Sequence, residues 1–206
     1  MTYRVVIPTA GIGSRLEDLT KNINKSLVGV ANRPILSHLI EQFPRTCEFV
    51  IALGHKGKLV KNFLELAYPD RVFYFVNVNP YKGKGSGLGF TLLSCKKYLQ
   101  QPFIFISCDT LVKEKIPSPN RNWMGFSSSR DSNSYRTLEI VKKNVVKINE
   151  KKNKISKNSR AYIGLGGIFD YLKFWEAMNN GKKTAINQGE VFGLKKILEK
   201  DSIKSI

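Results

Sequence analysis

The sequence is short of the residues that carry redox, metal and acid–base chemistry. Its 206 residues include three cysteines and two histidines. Cys47, Cys95 and Cys108 lie in apolar runs with no CxxC pair or Cys/His cluster. A structural zinc site and a disulfide framework are therefore not expected, and the thiols read as buried groups in a reducing compartment. No stretch nears the roughly 18–20 apolar residues that a membrane-spanning helix needs. Only residues 5–8 separate Arg4 from a polar, glycine-rich loop, too short for the apolar core of a leader peptide. A cytoplasmic protein is expected. Acids are scarce as well: 16 Asp and Glu stand against 34 Lys and Arg, a net charge of +18.

That excess would attract polyanions. Lysine far outnumbers arginine, however, and asparagine and isoleucine are frequent, so composition alone accounts for much of it. A nucleic-acid partner would rest on net charge only, and none is expected. Residues 142–160 are densest, with eight basic residues and one acid, Glu150. Such a run suits solvated strand edges and a turn, where lysine blocks unwanted pairing.

What is present is an alternation of short apolar strands and helical stretches. Residues 3–8 form a β-branched run ending at the loop Thr9-Ala10-Gly11-Ile12-Gly13. A helix follows Pro34, with Ile35, Leu36, Leu39, Ile40 and Phe43 on one face. Strands are predicted at 49–53, 72–78 and 103–107, with helices at about 59–67 and 88–99 between them. Near-continuous apolar strands alternating with helices argue for a parallel sheet covered on both faces. From about Trp123 the rhythm changes to short strands at 124–127, 137–141, 145–148 and 162–165. These predict an antiparallel extension, closed by helices at 169–178 and 191–198. No linker or repeat divides the chain, and a single domain over 1–206 is expected.

A glycine loop between a first strand and a helix can cradle phosphate, because glycine permits positive φ and exposes backbone N–H groups. It can equally be a plain tight turn. It is not the dinucleotide fingerprint, since Leu16 stands where a third glycine is needed, and no GxxxxGK[ST] occurs anywhere.

Gly11-Ile12-Gly13-Ser14-Arg15-Leu16, Asn24-Lys25-Ser26-Leu27 and Asn32-Arg33-Pro34-Ile35 together resemble the signature of the sugar-phosphate nucleotidyltransferases. These enzymes make nucleoside diphosphate sugars, and one branch makes cytidine diphosphate alcohols from phosphorylated alcohols such as phosphocholine. Gly85-Ser86-Gly87 resembles the family's turn beside the base, and Cys108-Asp109-Thr110 its metal-binding aspartate at a strand end. Glu150-Lys151 is similar, more loosely, to its acceptor-binding pair. The resemblance is strong over 3–112 and loose beyond.

It implies a Rossmann-like three-layer α/β fold: a mainly parallel mixed sheet with helices on both faces and a small antiparallel extension. It also implies catalytic Arg15 and Lys25, Mg²⁺ on Asp109, and acceptor contacts from Glu150 and Lys151. Nucleotide contacts would come from Ala10, Gly11, Ile12, Gly13, Ser14, Asn79, Gly85 and Ser86. The substrates implied are a nucleoside triphosphate and a sugar 1-phosphate or similar phosphorylated acceptor. Phosphocholine, with a cytidine nucleotide, is the alternative, and a non-catalytic nucleotide-binding module is another.

The sequence departs from the family in three places. Glu17-Asp18 stand where Arg-Pro is common, and Asn24 replaces the usual proline before Lys25. No Asp or Asn in a Trp-x-Asp-like segment supplies a second magnesium ligand near the end of the chain. Three accounts stay open: a fragment of a longer polypeptide, use of another acid such as Glu190, or impaired catalysis. Nucleotide-sugar glycosyltransferases share the fold type, but usually carry a DxD pair where Asp109 stands alone.

Overall fold

Val5, Val6 and Ile7 are fully buried, because strand β1 (Arg4–Pro8) runs through the middle of the sheet and packs on both faces. A computed structural model describes residues 2–153 and 156–206. After β1 the chain makes two 3₁₀ turns (Ser14–Thr20 and Lys25–Leu27) and a small hairpin, β2 (Gly29–Val30) with β3 (Arg33–Pro34). Then come α1 (Ile35–Glu41), β4 (Glu48–Leu53), α2 (Gly57–Ala67), β5 (Phe73–Asn77), α3 (Leu88–Cys95) and β6 (Phe103–Ile106). The second half holds β7 (Trp123–Ser127), β8 (Thr137–Val141), β9 (Asn144–Asn149) and β10 (Ser159–Ile168). It closes with α4 (Tyr171–Asn180), α5 (Lys182–Gln188), α6 (Glu190–Leu198) and β11 (Ile203–Ser205).

Nine strands form one mixed sheet in the order β5-β4-β1-β6-β10-β7-β11-β9-β8. Strands β5, β4, β1 and β6 are mutually parallel, as their uninterrupted apolar runs predict. Alternation of side chains divides the core in two. Val5, Ile7, Phe49, Ile51, Ile104 and Ile106 meet the buried faces of α1 and α2, including Leu36, Leu39 and Leu64. Val6, Val50, Phe103 and Phe105 meet α3 to α6, where Phe174 and Trp175 pack on Phe103 with ring centroids 5.5 and 5.6 Å away. Each such buried side chain contributes about 1.5–3 kcal/mol, before the entropy of ordering is subtracted. The three-layer expectation is met.

The antiparallel extension hangs on β10. Its last residues pair with β6, its middle with β7, and Ser159 to Ala161 also pair with β8, so the extension folds back on itself. Two elements here have no counterpart in the expected pattern: helix α5, and strand β11, which enters between β7 and β9. The basic run falls on the β8–β9 hairpin and the turns beyond it, where Lys142 and Lys143 take positive φ at the hairpin tip. Lys154 of that run lies outside the described residues. Among the described residues no helix is long and apolar enough to cross a membrane.

The strand order also locates the site. From β1 the chain winds outward through β4 and β5, then crosses over α3 to place β6 on the other side of β1. Ligands in open α/β sheets bind outside the carboxyl ends of the strands at such a reversal, here between β1 and β6.

Candidate active site

A cavity of about 330 Å³ opens at that point, lined by Ala10, Gly11, Arg15, Lys25, Ser86, Gly87, Ser107 and Asp109, among others. Ala10 and Gly11 follow β1, and Asp109 follows β6. Lys25 comes from the second 3₁₀ turn, and its Nζ donates to Asp109 Oδ2 at 2.9 Å. Three elements far apart in sequence therefore converge on one cleft. The Lys25 side chain is 20% exposed and that of Asp109 46%, so the ion pair presents an open face to the cavity.

Burial alone would lower the Lys25 pKa, yet it is raised by Cys108 and by the hydrogen bond and charge of Asp109. Cys108 is itself pushed up to about 11 by burial, so its thiol is neutral at physiological pH. Asp109 is thus the effective partner, and Lys25 stays cationic. The loop that carries these residues fits closely. Gly13 sits at φ 68°, and a Cβ there would lie 3.0 Å from both Lys25 Cβ and Thr20 Cγ2. That position needs glycine for its backbone and for the room it leaves Lys25.

Ser86 lines the cleft from the loop before α3, with its hydroxyl donating to Gly83 O at 2.6 Å. Gly85, at φ 84°, shapes the same loop. Ile12 and Ser14 are exposed on the glycine loop, and Asn79 is exposed before a cis bond to Pro80; none of these three lines the cavity. Tyr81, Leu88 and Thr91 line it without having been singled out in the sequence. Thr91 had a readable signal only in its place one turn into the helix after the glycines.

Glu150 and Lys151 are not brought to this cleft. Glu150 accepts from Arg136 Nε at 2.7 Å and Lys195 Nζ at 2.6 Å, tying β9 to α6. Burial opposes its charge, but Lys195 and Arg136 outweigh it and lower the pKa. Lys151 is exposed in the following turn. Glu190, the substitute acid considered above, is 3% exposed at the start of α6 and also lies off the cleft.

Burial pushes Glu190 up to about 7, from an ordinary 4.5, and its Oε2 and the Tyr162 hydroxyl have no hydrogen-bond partner among the described residues. Arg136 is the nearby charge that opposes this shift. The folded state therefore binds a proton that the unfolded state releases, so stability is lost as pH rises from 4.5 through 7. Glu190→Gln should remove that loss. Denaturant unfolding at pH 5 and pH 8 should show a smaller decline for the variant than for wild type, by up to about 3 kcal/mol. Equal declines would remove Glu190 as the cause.

His38 and His55 each place Nε2 against a backbone carbonyl, Val30 O at 2.9 Å and Thr20 O at 3.3 Å. They are structural groups.

A second, larger cavity of about 840 Å³ shares Asp109 with the first. Its walls include Ser127, Ser128, Ser129 and Tyr135, the charged segment Lys113-Glu114-Lys115, and apolar groups of β7 and β10. Asp109 thus stands between two spaces.

Mg²⁺ takes one or two carboxylates and completes its shell with phosphate oxygens and water. A half-exposed aspartate beside a neutral, buried thiol offers that hard-oxygen donor set, and Asp109 is the one carboxylate lining the smaller cavity among the described residues. The residues fit the ion.

No family model matches the chain. The bifunctional protein GlmU of Methanococcus vannielii is 26% identical over 98% of the chain and 49% of its own length. The low-salt glycan biosynthesis nucleotidyltransferase Agl11 of Haloferax volcanii is 31% identical over 54% of the chain and 31% of its own length. The chain thus spans about half the length of the curated relatives it matches end to end. A UDP-glucose pyrophosphorylase solved with UDP-glucose superposes with a TM-score of 0.79 at 17% identity, over all of this chain and 91% of that one. That likeness fixes the fold.

Proposed function

We propose that the chain is a sugar-phosphate nucleotidyltransferase, like the relatives it resembles in sequence, and that it transfers a nucleoside monophosphate from a triphosphate to a sugar 1-phosphate, releasing pyrophosphate. The observation that carries this reading is the Lys25–Asp109 pair, set beside Arg15 at the mouth of the glycine loop. The described residues would act as one nucleotidyltransferase unit in the cytoplasm, where nucleoside triphosphates are made.

An oxygen of the acceptor phosphate attacks the α-phosphorus. The bond from that phosphorus to the β-phosphate bridging oxygen breaks, and its electron pair leaves with pyrophosphate. A phosphate monoester has a second pKa of about 6, so it is ionised at neutral pH and no general base is required. Both histidines being committed elsewhere is consistent with that. The barrier is repulsion between anions, which fixed positive charge lowers.

Arg15, a planar fork, suits the β and γ oxygens and the departing pyrophosphate. Lys25 puts a compact charge where the α-phosphate and the incoming phosphate meet. Asp109 would hold Mg²⁺, which supplies further neutralisation of phosphate charge when bound. The backbone after β1 would bind phosphate, with Ser86 and its neighbours beside the base.

The larger cavity supports a hydroxylated acceptor. Its three serines and Tyr135 can bond hydroxyl groups, while Lys113 and Lys115 flank its one acid besides Asp109.

Pyrophosphate release should be measured with each of the common triphosphates, Mg²⁺, and a panel of sugar 1-phosphates and phosphocholine. Turnover with a sugar 1-phosphate is expected. Turnover with phosphocholine alone would move the protein to the cytidylyltransferase branch. Nucleotide binding without turnover on any acceptor would make it a binding module.

A further inference from the structure

Lys25 is held from two sides, and the second hold involves a residue to which no role has been given. Asn24 is fully buried. Its Nδ2 donates to Thr9 O at 2.8 Å, beyond β1, and to His55 O at 2.6 Å, beyond β4. Its Oδ1 accepts from Ser26 N at 3.0 Å and Ser26 Oγ at 2.8 Å. Both amide donors and both acceptor sites are used, which is the full capacity of an asparagine side chain. The carbonyls it satisfies belong to an already cross-linked corner, where His55 N donates to Ala10 O and Thr9 Oγ1 to Ala52 O. One side chain thus fastens the turn carrying Lys25 to the ends of two central strands.

We infer that Asn24 is a positioning residue: its amide sets the turn from which Lys25 reaches Asp109 and the reacting phosphates. A buried amide that bonds two strand ends cannot shift without orphaning polar groups, which is costly away from water. The turn is therefore fixed before substrate arrives. This is preorganisation of a charge that must meet a transition state within a fraction of an ångström. Proline, usual here in the sequences this chain resembles, would act by stiffening backbone. Asn24 already has φ −73° and ψ 145°, angles open to proline, so what it adds is its hydrogen bonds.

The catalytic part rests on the nucleotidyltransferase reading, and the test separates the two. Asn24→Asp keeps the shape and loses both donors. Asn24→Pro keeps the backbone angles and loses the side-chain bonds. With triphosphate and acceptor, each variant should lose about tenfold or more in kcat, with KM for the triphosphate within about threefold of wild type. In a Lys25→Ala background, Asn24→Asp should cost almost nothing further, because its effect passes through the missing ammonium. An unchanged kcat in the folded variants, or an equal loss in both backgrounds, overturns the inference.

If wild type turns over no acceptor, the functional reading fails but the positioning claim is still decided. Crystal structures should show the Lys25–Asp109 contact intact in wild type, and Lys25 Nζ drawn out of hydrogen-bonding range of Asp109 in Asn24→Asp, or in Asn24→Pro should Asn24→Asp not fold. Retention of the 2.9 Å contact in the variant would refute it.

Discussion

Replacing Lys25 with alanine lowers turnover about a hundredfold to a thousandfold and leaves the melting midpoint within about 4 °C of wild type. The two halves of that result have separate causes. A preorganised donor aimed at charge developing in the transition state is worth about 3–4 kcal/mol. The ion pair with Asp109 is half open to solvent, and such pairs stabilise a fold by at most about 1 kcal/mol. Activity should therefore collapse while stability barely moves. Arginine at the same position should not restore the rate, since the lysine stem lies close against Gly13 and a planar fork cannot replace a point charge there. A Lys25→Ala enzyme with near-normal kcat would remove the assignment, and with it the role of the cleft.

Gly89→Ala has the largest expected effect on stability. Gly89 lies in the first turn of α3, where a Cβ would stand 1.8 Å from Ala185 O and 2.8 Å from Ile186 Cα. Both are backbone atoms of α5, so no side chain can swing aside. The two helices must separate, which opens the core around Leu92 and Ala185 and moves the loop that presents Ser86. Losses of this kind reach about 3 kcal/mol or more, roughly 6–12 °C in melting midpoint for a chain of this size. Thermal melts followed by circular dichroism would check it. A midpoint shift below about 2 °C would mean that α5 does not lie against α3 as described.

The parallel half was legible because its signals are strong and local. Residues 49–53 and 103–107 are apolar without interruption, and fully buried strands have that pattern. The convergence of Arg15, Lys25 and Asp109 was legible through motif resemblance, which carries spatial information that periodicity lacks. Helix α5 was not, since Lys182-Lys183-Thr184-Ala185-Ile186-Asn187-Gln188 buries Ala185 alone and shows no apolar stripe. Strand β11 was hidden for a similar reason, with Ile203 its one buried residue. Glu150 matched a two-residue pattern in a lysine-rich stretch, and there the local partners Arg136 and Lys195 engage it. Asn24 looked like a lost proline; its four hydrogen bonds depend on strand ends that no short window of sequence brings together.

The placement of β11 bears on how the protein is made. During synthesis β7 and β9 leave the ribosome well before the segment that must lie between them. Until it arrives, both have unpaired edges, a hazard for sticking to neighbouring chains. That gap closes only when Ile203 to Ser205 pair with β7 on one side and β9 on the other. Chains stalled before residue 203 should therefore aggregate more readily than chains that carry β11.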